Sequence, residues 1–184
     1  MVVGLLLAAG GGRRFGGPKA PHIHEGERLV DRGVRLLKEA GCTTIVVVLG
    51  AWVGEVPDAT VIVNESWGRG QASSLLCGLE AIPASAQQVC ILLVDQIGMT
   101  SQAISRVINS SESAAGASVD GVFSPPVSLK REHFESVQRD LKEALLDTKR
   151  ADQGAKPYFL NVGGQLIPVD DVASLEDLDE APAS

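Results

Sequence analysis

The chain has 184 residues, 45% of them apolar and 21% charged, enough for one domain with a substantial core and too few for two ordinary ones. Its net charge of −7 is uneven: six of the 23 acids fall from Asp170 onward with no Lys or Arg among them, leaving 17 acids against 16 bases before that point. A near-neutral body with an acidic end excludes the broad basic footprint of nucleic-acid or anionic-membrane binding, and no apolar run approaches the roughly 20 residues that span a bilayer. Cys42, Cys77 and Cys90 are odd in number, far apart and set in apolar sequence. They are expected to be reduced core thiols of a cytoplasmic protein.

Val2 to Ala8 is a continuous apolar run, as in a strand covered on both faces of a parallel sheet. The stretch Leu7 to Lys19, LAAGGGRRFGGPK, follows it. Its five glycines, Gly10, Gly11, Gly12, Gly16 and Gly17, permit positive φ and close approach of a ligand to the amides, while Arg13, Arg14 and Lys19 add fixed cations. That combination suits phosphate oxygens. The spelling matches neither the P-loop pattern, because Pro18 precedes Lys19 and Ala20 follows it, nor the dinucleotide pattern, because Phe15 stands where its last glycine belongs.

His22 to Gly26 reads as a short extended piece and turn. The i, i+2 spacing of His22 and His24 makes a metal pair conceivable beside the simpler surface hairpin. Leu29, Gly33, Leu36 and Ala40 recur at helical spacing and Gly41 supplies the stop. Thr43 to Leu49 and Ala59 to Val63 follow as β-branched strands. Strand and helix alternate, so an α/β doubly wound, mostly parallel sheet is expected, with ligands beyond the carboxyl ends of its strands.

Asn64 stands at such an end, and Gly70 precedes a helix whose first turn holds Ser73 and Ser74, hydroxyls that can cap the helix or meet a ligand. Gln88 to Val94 is a fourth buried strand that delivers Asp95 to its carboxyl end. A carboxylate there is electrostatically expensive without a cation, and Mg²⁺ bridging phosphates is a natural partner. Thr100 and Ser101 are better placed than Asp95 to cap the helix that follows. The small residues and Pro125-Pro126 between Ala114 and Lys130 suggest a hairpin or lobe over the sheet. Glu135 to Leu146 reads as an exposed helix of mixed charge, and Gln165 to Val169 as a last strand.

The loop LAAG-x-G-x-R-x-G-x-P-K resembles the signature of MobA-like NTP transferases, most closely the branch of molybdenum cofactor cytidylyltransferases. NESWGRGQASSLLCG resembles that family's N-x-x-W-x-x-G-x-x-x-S-L-x-x-G-L, and Ala151 to Lys156 its G-D-x-G-A-R. The resemblance implies a three-layer fold like that of nucleotide-diphospho-sugar transferases, spanning 1–184 with a smaller acceptor-side lobe near 114–160. It also implies CMP transfer from CTP to a molybdopterin-type phosphorylated acceptor with release of pyrophosphate. In that reading Leu7, Ala8, Ala9, Gly10, Gly12, Arg14 and Lys19 wrap the triphosphate, Asn64, Gly70, Ser73 and Ser74 meet base and ribose, and Asp95 and Asp152 hold Mg²⁺. Arg14, Lys19 and Asp95 carry the catalysis, a second alanine at Ala9 resembles the cytidylyl branch, and a molybdoenzyme is the implied maturation partner.

Three departures stand out, the second on the acceptor side and the third at an acid that would help to hold the metal. The family's D-Q-P is Asp95-Gln96-Ile97, its Gly-His-Pro is replaced at Ser124-Pro125-Pro126, and the inner acid of its D-[IV]-[DN]-T-P-E-D-L is Ala173. They leave open a sugar-phosphate acceptor, another NTP, or nucleotide binding without turnover.

Overall fold

The computed structural model describes residues 1–178; Asp179 and Glu180 of the acidic end lie outside them. In chain order the elements are β1 (Val2–Leu7), a two-stranded hairpin of β2 (Ile23–His24) and β3 (Glu27–Arg28), α1 (Leu29–Glu39), β4 (Thr44–Leu49) and β5 (Thr60–Val63). Then come α2 (Gln71–Glu80), β6 (Gln88–Leu93), α3 (Ser101–Ile108), β7 (Ala114–Val119), β8 (Val122–Lys130), α4 (Phe134–Ala144), α5 (Thr148–Ala151), α6 (Lys156–Asn161) and β9 (Gln165–Pro168). The main sheet runs β5-β4-β1-β6-β8-β7-β9. Only β8 is antiparallel to its neighbours.

Alternation along β1 divides the core into two layers. Leu6 faces a cluster with Val30, Val34 and Leu37 of α1 and Ala103, Ile104 and Val107 of α3. Leu5 faces the opposite cluster, with Ala72, Leu75 and Leu79 of α2 and Val137 and Leu141 of α4. Successive side chains of a strand point to opposite faces, so a run apolar at every position is what a strand between two helical layers requires. The last five residues of β1 are buried, and so are the last five of β4. Helix α1 buries the face set by its apolar spacing and ends at Ala40, after which Gly41 takes φ +105°. Thr100 caps α3 by accepting a hydrogen bond from the Ala103 amide.

The segment 114–130 is a hairpin, but it lies in the sheet rather than over it. Strand β8 pairs antiparallel with β6, and β7 lies outside it. All six residues of β7, AAGASV, are buried. They are small because aromatic rings come close: a Cβ on Gly116 would sit 3.0 Å from both Phe123 and Phe159. Pro125 and Pro126 fall where the β7–β8 register shifts, between the Gly116–Val127 and Ala117–Ser124 pairs. A bulge tolerates residues that cannot donate to the ladder.

Pairing of Leu7 with Leu93 and with Val48 leaves the carboxyl ends of β1, β4 and β6 flush. Strand β1 continues to β4 on one side while β6 joins it on the other, so the order reverses at β1. That crevice is where open α/β sheets bind ligands.

Candidate active site

The loop after β1 is shaped by its glycines, though two of the five do the conformational work expected of all. Gly12 and Gly16 take φ +58° and +91°; Gly10, Gly11 and Gly17 do not adopt positive φ. The Gly12 carbonyl accepts from the Gly16 amide at 2.8 Å and the Gly17 amide at 3.2 Å, closing the loop on itself. A Cβ on Gly12 would collide with the Gly17 carbonyl. The other glycines act through size: Gly10 is bare toward the cavity, and a Cβ on Gly11 would press to 3.0 Å on the Trp67 ring.

The floor joins the two strand ends. Lys19 Nζ donates to Asp95 Oδ2 at 2.8 Å, across 76 residues of sequence. The side chains are 14% and 28% exposed, so the pair stands at the base of a pocket in contact with solvent. A cation with a path to solvent beside a carboxylate at a strand end is poised to exchange that carboxylate for phosphate oxygens.

Asp95 is held in place by its neighbour. Gln96 is buried; its Oε1 accepts from the Leu93 amide at 3.3 Å, and its Nε2 donates to Ser124 Oγ and the Pro125 carbonyl, both at 3.0 Å. Gln96 thereby ties the end of β6 to the bulge in β8, and every buried polar atom of its amide finds a partner. The residues that replace the family's Gly-His-Pro therefore form an anchor for this loop.

Around the floor is a cavity of about 550 Å³. Of the residues singled out in the sequence, Leu7, Ala9, Gly10, Gly12, Lys19, Gly70, Ser74, Asp95 and Asp152 line it. Ala8 is buried one residue before Ala9, and Arg14 is exposed on the turn next to Arg13, which lines the cavity. Asn64 and Ser73 lie behind the wall. The Asn64 amide donates to Ser73 Oγ at 3.0 Å and to Ser74 Oγ at 3.1 Å, while Ser73 donates to the Ser66 and Gly70 carbonyls. These buried groups are engaged with one another. Neither serine caps α2, whose N-terminus has no side-chain cap.

A second wall of the cavity was less visible in the sequence. Trp67, Arg69, Gln71 and Thr148 line it. The first three belong to the motif that begins at Asn64, but which of its side chains face inward depends on the short turn Trp67–Arg69 and on Gly70, at φ +108°; Thr148 gave no signal. A Cβ on Gly70 would come within 2.6 Å of the Ala151 carbonyl and 2.7 Å of Asp152 Oδ1. That contact seats α5 and Asp152 against the start of α2.

The donors suit a hard divalent ion. Asp95 and Asp152 face one cavity, and no group of three or more His, Cys, Asp or Glu side chains able to hold a metal occurs among the described residues. Mg²⁺ commonly keeps several waters and binds through one or two carboxylates plus substrate phosphates, which is the donor count available here. Ala173 packs against the α1/α3 core cluster. His22 and His24 belong to the β2–β3 hairpin region, with His22 edge-on to Phe15 at 4.8 Å.

Cys42 and Cys90 are buried, whereas Cys77 is only partly so, at variance with three core thiols. A hydrogen bond with the Cys42 thiol, reinforced by burial, pushes the Cys90 thiol well above its ordinary range. It is no nucleophile. No helix of the described residues is long and apolar enough to cross a membrane.

Comparison with known proteins gives the family and the fold. The MobA-like NTP transferase domain matches residues 4–157. The chain is 34% identical over 196 residues to the nicotine blue oxidoreductase of Paenarthrobacter nicotinovorans, covering 97% of this chain and 92% of that protein. It is also 34% identical over 96 residues to a probable molybdenum cofactor guanylyltransferase of Opitutus terrae, covering 51% and 48% of the two. Among solved structures, the homologue of Mycobacterium tuberculosis Rv0371c from Mycobacterium sp. strain JC1 superimposes with a TM-score of 0.78 at 20% identity, over 97% of this chain and 90% of that one. The chain belongs to the MobA-like NTP transferase family.

Proposed function

Taking membership of the MobA-like NTP transferases as the premise, we propose that this chain transfers a nucleotidyl group, CMP in the favoured reading, from an NTP to a phosphorylated acceptor of the molybdopterin type. The observation that carries the proposal is the Lys19–Asp95 pair at the junction of the glycine loop and the end of β6.

In this reading the amides of Gly10 to Gly12 and the cations of Arg13, Arg14 and Lys19 receive the triphosphate. Asp95 and Asp152, which line the same cavity, would hold Mg²⁺. The ion, when bound, supplies charge neutralisation on the phosphates. Lys19 gives up its contact with Asp95 and turns to the β- and γ-phosphate oxygens. An acceptor phosphate oxygen then attacks the α-phosphorus in line. The new P–O bond forms as the bond from the α-phosphorus to the bridging oxygen breaks, and pyrophosphate leaves with its charge on Lys19 and the arginines. Such chemistry asks the protein for positioning and electrostatics rather than a covalent nucleophile. Ala9 supports CTP through its resemblance to the cytidylyl branch. Trp67, whose ring edge rests beside Gly11, offers an apolar surface at the side of the loop where a base would lie.

A second reading has its own support, because the relative matched over nearly its full length is named an oxidoreductase. A glycine loop that holds a triphosphate can hold the pyrophosphate of a dinucleotide reductant. The two readings separate in one assay series. Pyrophosphate release is followed for four NTPs with molybdopterin and with sugar phosphates, and loss of reduced nicotinamide absorbance is followed for NADH and NADPH with nicotine blue as the dye. The proposal requires pyrophosphate release with molybdopterin, fastest with CTP. Dye-dependent oxidation of NADH or NADPH without pyrophosphate release would replace it.

A further inference from the structure

The loop Asp95–Met99 links β6 to α3, and each of its five carbonyls is accepting a hydrogen bond. The Asp95 carbonyl accepts from the Ile97 and Leu178 amides, each at 2.9 Å, and that of Gly98 from the Ser174 amide at 3.0 Å. The other three share one cation. Arg32, on α1, donates to the carbonyls of Gln96 at 3.2 Å, Ile97 at 2.7 Å and Met99 at 2.8 Å.

The opposite side is closed by the segment Ser174–Leu178, which runs along the loop as an extra ladder. Besides the bonds just given, the Gly98 amide donates to the Glu176 carbonyl at 2.8 Å. The approach is close enough to exclude a side chain: a Cβ on Gly98 would collide with Ser174 Oγ and come within 2.6 Å of the Ser174 carbonyl. Thr100 Oγ1 adds a bond to the Val172 carbonyl at 2.8 Å.

Arg32 does not line the cavity. It pairs with no carboxylate among the described residues, whereas Arg28, in β3 just before the helix, and Arg35, on α1, both do. Three carbonyls converging on one guanidinium use its rigid fork of donors in a way a flexible ammonium cannot reproduce. Three fixed peptide planes immediately after Asp95 leave its backbone little freedom. Ile97 also retains an amide, which bonds to Asp95 itself.

We propose that Arg32 and the Ser174–Leu178 segment are positioning elements that hold the Asp95 loop from two sides, so that the carboxylate is preorganised for the nucleotide's metal. The functional half of this rests on the role given to Asp95 above. The structural half does not.

The test uses the full chain as wild type, Arg32→Gln, Arg32→Lys and Gly98→Ala, with three readouts: amide hydrogen exchange without ligand, melting temperature, and kcat and KM for the preferred NTP. Arg32→Gln is expected to speed exchange of the Gly98, Met99 and Leu178 amides by about tenfold or more while β1 and β6 stay protected. It lowers kcat about tenfold, changes the KM for NTP by less than about threefold, and raises the metal concentration needed for half-maximal rate. Arg32→Lys recovers part of both effects. Gly98→Ala, acting from the other side, moves exchange and kcat in the same direction.

Exchange at 97–99 unchanged in both Arg32→Gln and Gly98→Ala would overturn the proposal. So would a fall in melting temperature with kcat per folded molecule at the wild-type value, which would make Arg32 a packing residue. Absence of nucleotide turnover in the wild type would strike the reading of Asp95 instead, and the exchange result would still decide whether the loop is clamped.

Discussion

The two walls of the cavity are built differently. The glycine-loop side rests on the ends of β1 and β6, both buried in the middle of the sheet, and the loop after Asp95 is fastened by Gln96 to β8, by Arg32 to α1 and by the chain's last described residues. The other side consists of the three-residue turn Trp67–Arg69 and the four-residue helix α5, with Gly68 and Arg69 exposed. The contrast teaches how labour can be divided in such a fold: positioned charge needs a rigid support, while short exposed elements can change without disturbing the sheet.

Substitutions that break this comparison have graded effects. The largest is expected for Asp95→Asn, which keeps the shape but removes the charge. On the proposed reading kcat/KM for NTP falls by about a thousandfold, measured by pyrophosphate release. Lys19→Ala follows at on the order of a hundredfold or more, by analogy with loss of a preorganised electrostatic group; unchanged turnover there removes Lys19 from the mechanism.

Gln96→Leu tests the scaffold of the rigid side. It removes the side-chain acceptor of the Leu93 amide and one of the bonds made by Ser124 and by the Pro125 carbonyl, which stay bonded to each other, and is expected to cost about 2 kcal/mol, read from denaturant unfolding. On the other wall, Asp152→Ala is expected to raise the metal concentration needed for half-maximal rate by about tenfold and leave NTP binding to the metal-free protein unchanged. An equal loss of both would merge the two walls into one functional unit.

The smallest effect belongs to the surface. Arg35 bridges Glu27 and Glu39, and its hydrogen bond holds the Glu27 carboxyl below its ordinary value of 4.5. A depressed carboxylate contributes its stability above the unfolded value and loses it as pH falls through the folded one. Arg35→Ala should therefore cost less than about 1 kcal/mol at neutral pH, less in high salt, and nothing in strong acid.

How much could be read beforehand follows the same division. The buried strands announce themselves because a chain covered on both faces must be apolar at every position, and α1 does so by its spacing and by Gly41. Asp95 stood out because a charge directly after such a strand needs a reason. The hairpin 114–130 did not declare its place, since Ala, Gly and Ser carry no alternation to show a face, and the rings that make them necessary, Phe123 and Phe159, are remote or ambiguous in sequence. Asn64 and Ser73 were ligand contacts only by the family resemblance, and their hydrogen bonds, from Asn64 to both serines and from Ser73 to two carbonyls, could not be read from type and spacing. Arg13, next to the more conspicuous Arg14, faces the cavity because of how Gly12 and Gly16 fold the loop. Arg32 gave no signal, because a guanidinium on an amphipathic helix is ordinary until the carbonyls it gathers are seen.

The most direct test of the central claim is calorimetric titration of CTP with Mg²⁺ into the wild-type chain, Lys19→Ala and Asp95→Asn. The account predicts metal-dependent binding to the wild type, weakened at least tenfold by Lys19→Ala and stripped of its metal dependence by Asp95→Asn. Binding of equal strength in all three proteins, or none by the wild type to any NTP, would contradict it.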